Sequence, residues 1–146
     1  MLYLGSNMAR IVLISCVSKK LNYRAKAGEL YTSPLFKMGL SYACSLNPDK
    51  IYILSAKYGL LDLETEIEPY EVTLNKMPDR EIRKWAEKVV EDLKKTANLK
   101  SDEFIFLAGD RYRKYIAAHL AKYSVPMKGL GIGKQLKFLK EHNKNV

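Results

Sequence analysis

Residues 50–59 read KIYILSAKYG. Ile51, Tyr52, Ile53 and Leu54 make a short apolar run, which stops abruptly at Ser55-Ala56-Lys57-Tyr58-Gly59. A run apolar on both of its faces suits a strand covered on both sides by other elements. Two further runs have the same form, RIVLISCV at 10–17 and EFIFLA at 103–108. The spacing predicts strands over 10–17, 50–56 and 103–108.

Helical patterns fill the intervals. Over 33–46 the Ser33-Pro34 pair supplies an N-cap and a first-turn proline, and Asn47-Pro48 stops the helix. Over 79–97, with Asp79 as N-cap, Ile82, Trp85, Ala86, Val89, Val90 and Leu93 recur as one apolar stripe. Two more helices are predicted, over 110–123 and over 133–141, the last with Leu136 and Leu139 on one face. Alternating strands and helices predict a single α/β domain over 9–142, with a mostly parallel sheet of three or four strands flanked by helices. Residues 1–8 read as an N-terminal appendage, with Met8 a candidate start.

The bulk properties narrow the class. A chain of 146 residues is about one domain, and 47% hydrophobic content is enough for a core. No run of about 18 apolar residues is present, so no membrane span is expected. The opening MLYLGSNMAR is too short and too polar for a signal peptide. Cys16 and Cys44 both lie in apolar stretches, which fits a reduced, cytoplasmic protein. Two Cys and two His without ligand spacing argue against a metal site, and no cofactor is expected. The net charge of +9 is uneven: +5 over residues 1–48, −3 over 49–78, +2 over 79–100 and +5 over 101–146. The basic outer thirds suit a polyanionic partner, although a solvated lysine-rich surface would read the same way.

In a parallel α/β sheet, ligands bind beyond the carboxyl ends of the strands. Those ends are CVSKK at 16–20, SAKYG at 55–59 and AGDRYR at 108–113, all polar and two of them carrying tyrosine. Ser18 and the neighbouring amides can hold a phosphate, or the stretch is a basic turn. Cys16 is either inert packing or a thiol activated by nearby lysines. Tyr31 and Ser33, in LYTSPLF at 30–36, mark a helix start that favours an anion or is simply capped. Lys57 follows a buried strand directly, where partial desolvation would make its amine a nucleophile, or the stretch is a strand-terminal turn with an exposed lysine. Tyr58 can stack on a base, and Gly59 suggests a turn with positive φ or a close ligand approach. The acids Asp62, Glu64, Glu66, Glu68 and Glu71 follow; most should be solvated or paired with basic neighbours. Asp62, nearest the strand end, is the candidate to stabilise positive charge at a sugar C1′ or to activate water. In GDRYRKY at 109–115, Arg111 and Arg113 suit phosphates and Tyr112 suits stacking, or the stretch is an ordinary amphipathic helix. GLGIGK at 129–134 is too short for a Walker or dinucleotide fingerprint but can approach a phosphate.

The motifs C-x-S-K-K, L-Y-T-S-P-L-F, L-S-A-K-Y-G-L-L-D, I-E-P-Y-E-V-T-L and G-L-G-I-G-K-Q-L occur in that order. Together, over roughly residues 11–139, they resemble a family of small uncharacterised prokaryotic and phage domains. The Y-G-L-L…E-P-Y stretch at 58–70 is also similar to the peroxide-stress YaaA family, although this chain is much shorter. The resemblance implies DNA binding by a cleft and excision of a modified or oxidised pyrimidine such as 5-hydroxymethyluracil. Carried over by motif, it implicates Ser18, Lys19, Tyr31, Ser33, Lys57, Tyr58, Asp62, Tyr70 and Lys134. The expectation is then a DNA glycosylase that extrudes its base, with Tyr58 or Tyr112 stacking and Lys19, Lys20, Arg111 and Arg113 on phosphates. Catalysis would fall to Asp62, or to Lys57 or Lys19 through a Schiff base. The rival readings are a non-catalytic DNA-binding module and a small-molecule nucleoside or nucleotide hydrolase.

Overall fold

The structure is a computed structural model describing residues 8–15 and 19–143. Three long strands, β1 (Arg10–Ser15), β3 (Lys50–Ser55) and β6 (Glu103–Leu107), lie parallel with β1 in the middle. The edges are β4 (Gly59–Asp62), antiparallel to β3, and β7 (Tyr123–Ser124), parallel to β6, giving the order β4-β3-β1-β6-β7. Short β2 (Ala25–Lys26) and β5 (Glu66–Ile67) pair separately. The helices are α1 (Ala27–Leu30), α2 (Pro34–Ser45), α3 (Asp79–Lys94), α4 (Asp110–Ala117) and α5 (Ile132–His142).

The period-2 alternation of β1 builds the layers. Ile11 and Leu13 point to the face covered by α3 and α4, while Val12 and Ile14 point to the face covered by α2 and α5. All four are at most 2% exposed, which is why the strand had to be apolar throughout. Val89, Val90 and Leu93 of α3 meet the first face, and Leu139 of α5 reaches the second. The α/β class and the mostly parallel sheet agree with the sequence reading. No helix among the described residues is long and apolar enough to cross a membrane.

The differences have local causes. The 110–123 segment does not remain helical, because α4 ends at Ala117 and Tyr123–Ser124 leaves as an edge strand against Phe104 and Ile105. A two-residue strand has too little pattern to be seen in sequence. The helix expected to be capped by Asp79 begins at Asp79 itself, whose carboxylate accepts from Arg83 Nε at 2.8 Å and from the Tyr115 hydroxyl. Cys44 is exposed on α2 rather than packed, and Cys16 lies outside the described residues.

The largest difference concerns SAKYG. It is the loop of a tight hairpin, with Ser55 opposite Gly59 and Tyr52 opposite Asp62. Gly59 has φ +75°, the left-handed residue that a three-residue hairpin loop requires. The acidic stretch that follows is tied down by charge: Arg24 pairs with Glu66 at 3.2 Å and Glu68 at 3.3 Å, and Lys26 pairs with Glu64 at 3.0 Å. All these side chains are exposed, so solvent screens each pair, and the pairs lie beside the short ladder of β2 on β5.

Candidate functional site

The chain leaves β1 toward β3 through α2, then returns past β1 to β6 through α3. Those two connections run on opposite faces of the sheet. The carboxyl ends of β1 and β6 therefore part without a helix crossing above them, which is where α/β sheets accept ligands. A cleft of about 960 Å³ lies there, floored by Ile14, Ser15, Leu107 and Ala108. Leu35, Phe36 and Gly39 of α2 line it, as do Met127, Leu130 and Ile132 around the start of α5 and Gly109–Arg113 at the start of α4, numbered 109–113 in the chain.

A strap crosses its top. Tyr70 packs with the core on the α2/α5 face and Leu74 with the core on the α3/α4 face, so residues 71–73 pass over the carboxyl edge between them. Four residue steps reach about 13 Å, enough to span the two strand spacings of about 4.8 Å from β3 to β6. Both ends are fixed. The Tyr70 hydroxyl accepts from Ser55 Oγ at 2.8 Å, and the Leu74 amide donates to the Tyr112 hydroxyl at 3.4 Å. Glu71, Val72 and Thr73 of the strap line the cleft, as do Asn75 and Lys76 of the 3-10 turn that follows.

Among the described residues, the lining carries the cationic side chains Lys20, Lys76, Arg111 and Arg113 and the carboxylates Glu71 and Asp110. Arg113 is the most constrained: its side chain is 16% exposed and its guanidinium donates to the Ala108 carbonyl at 2.9 Å. The N-caps of α4 and α5, Gly109 and Gly131, offer no side-chain cap. A Cβ at Gly109, Gly129, Gly131 or Gly133 would meet no described residue within 4 Å. First-turn amides and helix dipoles in open space favour negative charge. The GLGIGK stretch does lie beside the cleft, with Gly129, Leu130 and Ile132 in its wall, while Lys134 is exposed one turn into α5.

The residues singled out from sequence divide into three groups. The first forms a buried polar chain. Tyr31 is 1% exposed, and its hydroxyl lies 2.6 Å from that of Tyr70, which bonds Ser55 Oγ; Ser55 in turn accepts from the Tyr58 amide at 3.0 Å. The Tyr58 ring packs edge-on to Tyr70 at 5.6 Å, so the stacking surface expected of Tyr58 is partly used inside the protein. Tyr31 and Tyr70 are core residues rather than ligand-facing ones. Ser33 is 7% exposed and caps α2 through the Phe36 amide at 3.1 Å. Lys20 lies over this group, its Nζ 4.6 Å from the Tyr70 ring centre, and reaches the cleft.

The second group lines the cleft: Lys20, Arg111, Tyr112 and Arg113. Tyr112 is only 9% exposed and its ring meets Trp85 edge-to-face at 5.7 Å, so much of it is taken up in the cleft wall. The third group lies elsewhere. Lys57 is exposed at the hairpin tip with its Nζ 5.3 Å from the Tyr58 ring, in solvent rather than behind the strand. Asp62 ends β4, three residues beyond Gly59 and about 10 Å from it by strand rise. Its Oδ1 accepts from the Glu64 amide, the Thr65 amide and the Thr65 hydroxyl at 2.9, 2.9 and 3.0 Å. Slight burial pushes this carboxyl up, but the Thr65 hydroxyl and the two amides outweigh it and hold it below the usual carboxylate range. That is a loop-locking role, away from the cleft. Lys19 is exposed and its carbonyl accepts from the Thr32 amide at 2.9 Å. Ser18 lies outside the described residues. Closeness in sequence to the strand end favoured Asp62 over Glu71; the hairpin carries Asp62 away, and the strap brings Glu71 back.

Fold and site thus define an α/β domain with a cationic cleft at its topological switch point. Residues 11–141 match a family of unknown function (DUF6884), and the chain belongs to that family. No curated protein matches it.

Proposed function

We propose that the protein binds DNA through this cleft and excises a modified or oxidised pyrimidine, such as 5-hydroxymethyluracil, as a cytoplasmic DNA glycosylase. The observation that carries the reading is the cleft itself: about 960 Å³, at the switch point, with cations and uncapped helix starts for phosphates and an apolar interior for a base. The net charge of +9 supports a polyanionic substrate. The resemblance of the Y-G-L-L…E-P-Y motif at 58–70 to the YaaA family, read from the sequence alone, points the same way. Extrusion of the nucleotide brings its sugar to the carboxyl edge, with the flanking phosphates on Arg111, Arg113 and Lys20. The exposure of Lys57 favours hydrolysis over a lysine Schiff base.

Duplexes each carrying one modified pyrimidine, incubated with the protein and then heated in alkali, test the reading. Strand breakage at one modified base is the expected result. Salt-sensitive binding without breakage would make the protein a DNA-binding module, and activity on free nucleosides or nucleotides alone would make it a small-molecule hydrolase.

A further inference from the structure

We propose that Glu71 is the catalytic carboxylate of the cleft, a role that rests on the glycosylase reading above. The strap holds it there from both ends. Tyr70, its neighbour, is 8% exposed and anchored through Ser55, which is fully buried at the carboxyl end of β3. Leu74 is fully buried and its amide reaches α4 through Tyr112. Thr73 fixes the turn between them by accepting from the Asn75 amide at 3.2 Å. The backbone under Glu71 is thus set by two cores on opposite faces of the sheet.

Its chemistry fits the position. Glu71 is exposed, lines the cleft, and has no hydrogen-bond or ion-pair partner among the described residues. The other acids of the stretch are engaged: Glu64, Glu66 and Glu68 pair with Lys26 and Arg24, and Asp62 locks its loop. Asp110, the other carboxylate in the lining, lies 3.9 Å from the Arg113 guanidinium. A carboxylate kept unpaired in a cleft built for anions repels the phosphates that the cleft attracts. Such a group is useful where positive charge develops, as it does at C1′ of a departing nucleoside.

In the step, the C1′–N bond breaks and its electron pair leaves with the base, while the Glu71 carboxylate faces the oxocarbenium-like sugar. Water adds to C1′ and gives one proton to Glu71. The departing base takes up a proton from solvent. The products are the free base and an intact abasic site with a hydroxyl at C1′. No lysine becomes attached to the sugar.

The test uses the full chain and the same modified-base duplexes, comparing wild type, Glu71→Gln and Asp62→Asn. Glu71→Gln should lower base release by about 100-fold or more, the usual scale for a positioned carboxylate. Its affinity for the duplex should be unchanged or higher, because a negative charge facing DNA is gone. Asp62→Asn should release base at the wild-type rate. Thermal melting of Glu71→Gln at the wild-type temperature secures the comparison, as the side chain is exposed. Release by Glu71→Gln within threefold of wild type would overturn the role while leaving the glycosylase reading standing. A wild type that releases none of the bases would overturn both.

Discussion

Replacing Tyr70 by phenylalanine removes one oxygen from the centre of a buried chain. That oxygen accepts from Ser55 Oγ at 2.8 Å and lies 2.6 Å from the Tyr31 hydroxyl. Ser55 is 0% exposed and Tyr31 1%, so water does not replace what is lost. The ring is kept, together with its packing against Tyr31 and Tyr58. The cost is therefore polar: a buried hydroxyl left without its partner costs about 1–3 kcal/mol. Ser55 keeps its bond from the Tyr58 amide, which holds the total to about 1–3 kcal/mol. Urea unfolding measures it. With a slope of about 2 kcal/mol per molar, the midpoint should fall by roughly 1 M with the slope unchanged. Tyr31→Phe/Tyr70→Phe should cost less than the sum of the two single changes, since removing both partners leaves fewer orphaned groups. Base release should fall further than duplex affinity, because the strap under Glu71 loses its anchor. A Tyr70→Phe protein within 0.5 kcal/mol of wild type, with additive double-mutant energies, would refute the anchoring role.

Four further outcomes are expected. Arg111→Ala should weaken duplex binding similarly for all sequences and flatten its salt dependence, read as the slope of log affinity against log salt; an unchanged slope would remove Arg111 from the phosphates. Asp62→Ala should cost about 1 kcal/mol at neutral pH through its three accepted bonds, measured by urea unfolding at several pH values. Because the folded carboxyl is held below its usual range, that stability is present above the unfolded value near pH 4 and is lost as pH falls through the folded one, so the two proteins should converge in acid; a gap that persists there would contradict the loop-locking role. Gly59→Ala should cost about 1 kcal/mol from backbone conformation alone, since φ is +75° and the nearest atom to a new Cβ, Val89 Cγ2, is 3.8 Å away; an unchanged melting temperature would show that the turn relaxes freely. Lys57→Ala should leave base release unchanged, and borohydride during turnover should trap no protein–DNA crosslink in wild type; a crosslink lost with Lys57 would restore the Schiff-base route.

The three central strands and the long helices were legible in the sequence because local pattern is enough for them. A run such as Ile11-Val12-Leu13-Ile14 must be covered on both faces, and the stripe from Ile82 to Leu93 must meet a sheet. The carboxyl-end rule pointed to one edge of that sheet, and Lys20, Arg111 and Arg113 line a cleft there. What the sequence could not carry was which polar residues face that edge. Tyr31, Tyr70 and Ser55 are far apart in the chain and resemble ligand-binding residues until they are seen bonded to one another in the interior. Asp62 and Lys57 follow a strand end in sequence, but the hairpin through Gly59 turns the chain back along β3. Glu71 is one acid among five until a strap anchored in two separate cores sets it over the cleft. Periodicity is a property of neighbours along the chain, whereas the site is made by contacts between segments whose separation only the packed sheet and its crossovers determine.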